Sequence, residues 1–111
     1  MSSKVMLIQS EGLGRGDDSL GIMLMANFLR LLGDTDNKPL SIVFWNMGVH
    51  LVCEGSKVLE HIKVLENQGV EILACITCLE YFNLIDKLAV GKPTTMMKSI
   101  QSMFDSDIVS L

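Results

Sequence analysis

The 111-residue sequence predicts an α/β fold built on a mostly parallel sheet. Two observations carry that prediction. Three short apolar runs, Val5-Met6-Leu7-Ile8, Ser41-Ile42-Val43-Phe44-Trp45 and Val70-Glu71-Ile72-Leu73-Ala74, are separated by longer segments of helical character. The first two runs are continuously apolar rather than alternating, which suits strands covered on both faces. A hydrophobic fraction of 49% with 20% charged residues fits a packed chain, expected as one domain over residues 1–111.

The first helix is expected to start near Asp17, with Asp17 or Asp18 capping its free N–H groups. It should run to about Leu32 and stop at Gly33. Leu20, Ile22, Met23, Leu24, Met25, Ala26, Phe28, Leu29, Leu31 and Leu32 cover nearly every direction around it. One apolar stripe is enough for a helix packed on a sheet, so the remaining apolar surface points to burial against another subunit. The second helix is expected from Ser56 as N-cap to about Gln68, with Gly69 as the stop. Val58, Leu59, Ile62 and Leu65 form its inner stripe, and Lys57, Glu60, Lys63 and Glu66 face water. A short helix to about Ile85 should follow Cys75-Ile76-Thr77-Cys78. Leu88-Ala89-Val90 is expected as a fourth short strand, closed by Gly91 and Pro93. A last helix should begin at Thr94 or Thr95 and carry Met96, Met97, Ile100, Met103 and Phe104. Ile108-Val109 is a candidate fifth strand at the sheet edge.

The net charge of −4 and pI near 5.0 argue against nucleic-acid binding, which needs a basic patch. No apolar run reaches the roughly 18–20 residues that span a bilayer. The start, Met1-Ser2-Ser3-Lys4, leads into too short an apolar stretch for a secretory leader. The expectation is a soluble, cytoplasmic protein. Three Cys, an odd number, do not make a disulfide framework.

Cys75-x-x-Cys78 is the strongest chemical motif. Cys75 should end the third strand, at the sheet edge where α/β proteins gather ligands. Cys78 should then fall in the first turn of a helix, where free N–H groups favour a thiolate and lower its pKa. A thiolate is the form that attacks a persulfide or disulfide sulfur, and Cys78 could resolve an adduct on Cys75. The plainer alternative is two buried cysteines acting as small hydrophobes. His50-x-x-Cys53 with Cys75-x-x-Cys78 would supply four zinc ligands. However, Cys53 sits among Val49, Leu51 and Val52, as a buried structural Cys would, and no metal is expected.

Gly12-Leu13-Gly14-Arg15-Gly16 follows the first strand and opens a helix, but its spacing departs from G-x-G-x-x-G. Asp17 and Asp18 would repel a pyrophosphate there, so no nucleotide or other cofactor is expected. Either the turn simply exploits the positive φ open to glycine, or Gly14, Arg15 and Gly16 line a pocket beside Cys75. Asn46, after the second strand, should reach the same edge.

Several stretches resemble the DsrE/DsrF-like family, most closely the carboxyl-terminal domain of YedF-type proteins. They are Gly14-Arg15-Gly16-Asp17-Asp18-Ser19-Leu20-Gly21, Phe44-Trp45-Asn46-Met47-Gly48-Val49 with Glu54-Gly55-Ser56, Gly69 through Leu79, and Leu88-Ala89-Val90-Gly91. YedF-type proteins are sulfurtransferase-like and linked to selenium metabolism. Ile76 stands where that branch usually has Gly after its first Cys, and Thr95-Met96 where it tends to have Asn-Met. The resemblance implies a three-layer α/β/α sandwich with a sheet of about five parallel strands, and assembly into oligomers. It also implies that Cys75 accepts a persulfide in a sulfur relay, and that a TusA-like protein can act as partner in trans.

The functional expectation is a sulfurtransferase-like persulfide carrier working through Cys75 and Cys78 between sulfur donor and acceptor proteins, with the link to selenium metabolism as the resemblance implies. Two alternatives stand beside it. One is a non-catalytic oligomeric interaction module; the other is a thiol–disulfide reductase using the C-x-x-C pair.

Overall fold

The computed structural model describes residues 3–111; Met1 and Ser2, where the leader reading begins, lie outside it. Five strands form one sheet: β1 (Lys4–Ile8), β2 (Ser41–Phe44), β3 (Glu71–Cys75), β4 (Lys92–Thr94) and β5 (Asp107–Ser110). Their spatial order is β4-β3-β2-β1-β5, and every pairing is parallel. Four α-helices connect them: α1 (Asp18–Asp34), α2 (Leu59–Asn67), α3 (Ile76–Tyr81) and α4 (Met96–Asp105). A 3-10 helix over Asn46–Val52 leaves β2. The α/β expectation and its parallel sheet of five strands hold.

The continuously apolar strands have the predicted cause. Ile8, Ile42, Phe44, Ile72 and Ala74 point into one buried cluster with Met25 and Leu29 of α1 and Ile62 and Leu65 of α2. Val5, Leu7, Val43 and Leu73 point to the opposite face, where Met103 of α4 packs. Both faces are therefore apolar, and strand alternation sorts one run of sequence into two cores.

Several boundaries differ from the sequence reading. Helix α1 is capped as expected, with the Asp17 side chain accepting from the Leu20 N–H at 2.8 Å. It continues through Gly33, and Thr35 closes it by donating through N and Oγ1 to the Leu32 carbonyl. Helix α2 starts at Leu59 rather than just after Ser56; the Ser56 hydroxyl instead accepts from Val58 N–H within the preceding turn. Gly69 does end that segment, at φ 98°. Helix α3 stops at Tyr81, and Asn83 takes a positive φ of 58°.

The fourth strand is Lys92–Thr94, not Leu88-Ala89-Val90. Leu88 makes an isolated antiparallel bridge with Cys53, and Ala89 N–H donates to the Val52 carbonyl at 2.8 Å. That commitment carries the Leu88–Val90 segment away from the parallel ladder. Pro93 is tolerated in β4 because β4 is an edge strand whose outer side has no ladder partner.

Helix α4 turns the wrong way for a simple core helix. Its buried residue is Ser99, 4% exposed, while Met96, Met97, Ile100 and Phe104 face outward and Phe104 is 88% exposed. Leu20, Met23, Leu24 and Leu31 of α1 are also exposed. Among the described residues no helix is long and apolar enough to cross a membrane.

One close approach seats the exit of β2. Trp45 N–H donates to the Ile8 carbonyl at 2.9 Å, and a Cβ on Gly48 would collide with that same carbonyl oxygen. Gly48→Ala should therefore cost about 1–3 kcal/mol, the range for overpacking. Urea unfolding should show the loss as a lower midpoint with an unchanged slope.

Candidate functional site

The parallel register brings the carboxyl ends of β2 and β3 side by side, Phe44 opposite Ala74. The chain leaves β2 through Asn46 and leaves β3 through Cys75 into α3. Cys75, the last residue of β3, is 3% exposed. Cys78, the third residue of α3, is partly exposed. Both thiols are free, as is Cys53.

Asn46 has φ 52°, in the left-handed region that Asn tolerates better than most residues. In that conformation its backbone N–H donates to Cys78 Sγ at 3.1 Å. Cys78 also lines a depression of about 390 Å³ together with Asn46, Thr77, Tyr81 and Phe82. None of these lining side chains is charged. Phe82 packs at 4.8 Å against the ring of His50 and at 5.2 Å, edge-on, against Tyr81. His50 is in turn held at 3.1 Å from the Met47 carbonyl and 3.8 Å from Glu11 Oε1.

The lowered pKa expected for Cys78 is reversed. Burial pushes the thiol up, and the Cys75 side chain adds to this through a hydrogen bond and through charge. The Asn46 N–H pulls the other way without overcoming burial. The physical reason is that withdrawal from water and the neighbouring Cys75 outweigh the backbone N–H donors, of Asn46 and of Cys78 itself, that favour the thiolate. Cys53 is also pushed up, first by burial and then by the charge of Glu54.

The expected site residues divide into two groups. The structure brings Asn46 and Cys78 together, with Cys75 directly behind. Gly14, Arg15 and Gly16 are exposed and lie outside the lining of the depression. Gly14 and Gly16 do take positive φ, 79° and 121°, as the plainer reading of that turn has it. Cys53 is 1% exposed at its bridge with Leu88. Among the described residues no group of three or more His, Cys, Asp or Glu is placed to hold a metal ion. Tyr81 and Phe82 were not singled out from sequence. The signal was available, because residues three and four beyond Cys78 share its face of a helix.

Fold and site together define a small parallel-sheet α/β protein carrying a C-x-x-C dithiol at the strand-to-helix junction. The chain belongs to the DsrE/DsrF-like family, whose model matches residues 3–109. It is similar in structure to the ychN protein from E. coli, at 15% identity and TM-score 0.76, with 100% of both chains covered. MTH1491 from Methanobacterium thermoautotrophicum, a protein of unknown function, matches at 20% identity and TM-score 0.70, again over 100% of both chains. BT1422 from Bacteroides thetaiotaomicron, also of unknown function, matches at 18% identity and TM-score 0.65, covering 98% of this chain and 95% of its own. At these identities the likeness shows the fold. No curated protein is significantly similar to the chain.

The opposing influences on Cys78 can be separated by titration. Its alkylation rate should keep rising with pH beyond the ordinary thiol value of about 8.5. Cys75→Ala removes two influences that favour the protonated form, so the Cys78 rate profile should move to lower pH. Iodoacetamide labelling followed by peptide mass spectrometry measures both profiles, with Cys53 as the buried internal control.

Proposed function

We propose that the chain is a sulfur-relay protein, a persulfide carrier that works through the Cys75–Cys78 dithiol. The observation that carries this reading is the placement of Cys78 Sγ: it sits on an open depression, receives the Asn46 N–H, and has a second thiol beside it. The burial of Cys75 makes Cys78 the entry thiol in this proposal and Cys75 the resolving one. The roles first expected of the two are thereby exchanged.

The chemistry balances in two steps. Cys78 thiolate attacks the outer sulfur of a donor persulfide; the donor's S–S bond breaks and the donor leaves as a thiolate. The Cys78 persulfide then gives its outer sulfur to an acceptor thiolate by the same displacement. Alternatively, Cys75 attacks Cys78 Sγ, forms the Cys75–Cys78 disulfide and expels the outer sulfur as hydrosulfide. In that branch two thiols supply the two electrons that reduce the sulfane sulfur, and an external thiol must later reduce the disulfide. The same displacement can move zero-valent selenium, which is how the YedF-type resemblance and its selenium link enter the proposal. Donor and acceptor are taken to be cytoplasmic proteins, a TusA-like protein among them.

Intact mass after incubation with a persulfide donor tests this directly. Wild-type protein should gain about 32 Da, one sulfur atom. Cys78→Ser should gain nothing. Cys75→Ser should keep the adduct and release less sulfide. An adduct lost in Cys75→Ser and kept in Cys78→Ser would restore Cys75 as the acceptor. No adduct on the wild type would favour the interaction module, and a disulfide formed without any trapped persulfide would favour the thiol–disulfide reductase.

The exposed faces of α1 and α4 support a homo-oligomer as part of the proposal. Leu20, Leu24 and Leu31 lie along one side of α1, with Asn27 at the intervening position of the same seam. Leu24→Asp should lower the molar mass measured by light scattering to that of one chain while the circular dichroism of the fold persists. An unchanged mass would remove α1 from the interface.

A further inference from the structure

We propose that the Cys75–Cys78 pair also binds a soft monovalent metal ion, of which Cu(I) is the natural member, through two thiolates alone. This uses the dithiol of the sulfur-relay reading but requires no persulfide. Three observations lead to it. The two free thiols lie within hydrogen-bonding reach of each other, one as the last residue of β3 and one in the first turn of α3. A chelating pair is thus set before any ion arrives.

The second observation is what surrounds the pair. Thiolate donors select Cu(I), Zn(II) and iron–sulfur clusters over hard ions. Zinc and iron–sulfur clusters require about four ligands in a closed site. The described residues offer no group of three or more His, Cys, Asp or Glu. Asn46, Thr77, Tyr81 and Phe82 complete the lining with no carboxylate or imidazole. Cu(I), a filled-shell ion, is satisfied by two sulfurs in a line, so this donor set suits it and leaves the others short. The third observation is the Asn46 N–H on Cys78 Sγ at 3.1 Å, an outer-shell donor that steadies anionic sulfur.

Binding involves no change of oxidation state. Two S–H bonds break, two metal–sulfur bonds form, and two protons pass to solvent. The pH dependence therefore counts the ligands. As pH rises toward the thiol pKa values fewer protons need displacing, and apparent affinity should climb about a hundredfold per pH unit for two thiols and about tenfold for one.

The test is an anaerobic titration of the reduced full chain with Cu(I) against the coloured chelator bathocuproine disulfonate. The expected result is one equivalent withheld from the chelator, with the steeper pH dependence. Cys75→Ser and Cys78→Ser should each lose at least about a hundredfold in affinity, as outer-shell losses alone cost about 10–100-fold. Cys53→Ser should bind as the wild type does. Should a serine variant fail to fold, wild-type protein alkylated at Cys78 replaces it and should likewise lose the ion. Retention of the equivalent after Cys78 alkylation, the shallower pH dependence, or loss of binding in Cys53→Ser would each overturn the proposal. Cu(I) binding by a protein that never traps a persulfide would refute sulfur relay and leave the metal site standing; the reverse pair of results would do the opposite.

Discussion

The Ile8 carbonyl at the end of β1 is the contact on which the site depends. Trp45 N–H donates to it, and Gly48 lies against it where a side chain would not fit. Between those two anchors lie Asn46 and Met47, the first two residues of the 3-10 helix. The extended Trp45 sets the peptide plane that aims the Asn46 N–H across at the sulfur of Cys78, and Asn46 itself takes the turn in the left-handed region. A backbone amide delivered by a neighbouring strand exit is a rigid donor, held by the sheet rather than by a rotatable side chain.

Against that donor stands burial. The C-x-x-C pair sits where a strand from the core becomes a short helix, so Cys75 is withdrawn from water and Cys78 partly so. Desolvation favours the neutral thiol, the adjacent thiol favours it further, and one amide does not reverse the balance. The result is a Cys78 thiol that holds its proton more firmly than a free cysteine does and becomes nucleophilic once that proton leaves. A protonated Cys78 is slower to oxidise, since susceptibility follows thiolate character and exposure.

The apolar surface has a similar logic at larger scale. A sheet of five short strands has two faces to cover, and this chain covers one with α1 and α2 and the other mainly with α4. Helix α4 lays Ser99 inward and leaves Met96, Met97, Ile100 and Phe104 outside. Because α4 must span from β4 at one edge to β5 at the other, its rotation is governed by the crossover and its cap at Thr95, not by its own apolar stripe alone.

Much of the fold was legible because it rests on local rules. Continuous apolar runs marked buried parallel strands, Asp17 marked a helix start, Gly69 marked a helix end, and Cys75 fell at the end of β3 as its position after an apolar run required. Where the reading failed, a distant partner had overruled a local preference. The Cys53 bridge drew Leu88 away from the sheet, and an open edge let Pro93 into it. The reactivity of the thiols was likewise a tertiary outcome. Helix position alone favoured an acidic Cys78, but the pKa depends on how much water the surrounding fold excludes. Periodicity records which side of an element is apolar; it does not record which other elements arrive there, and solvation, register between distant strands and the aim of a backbone N–H all depend on that arrival.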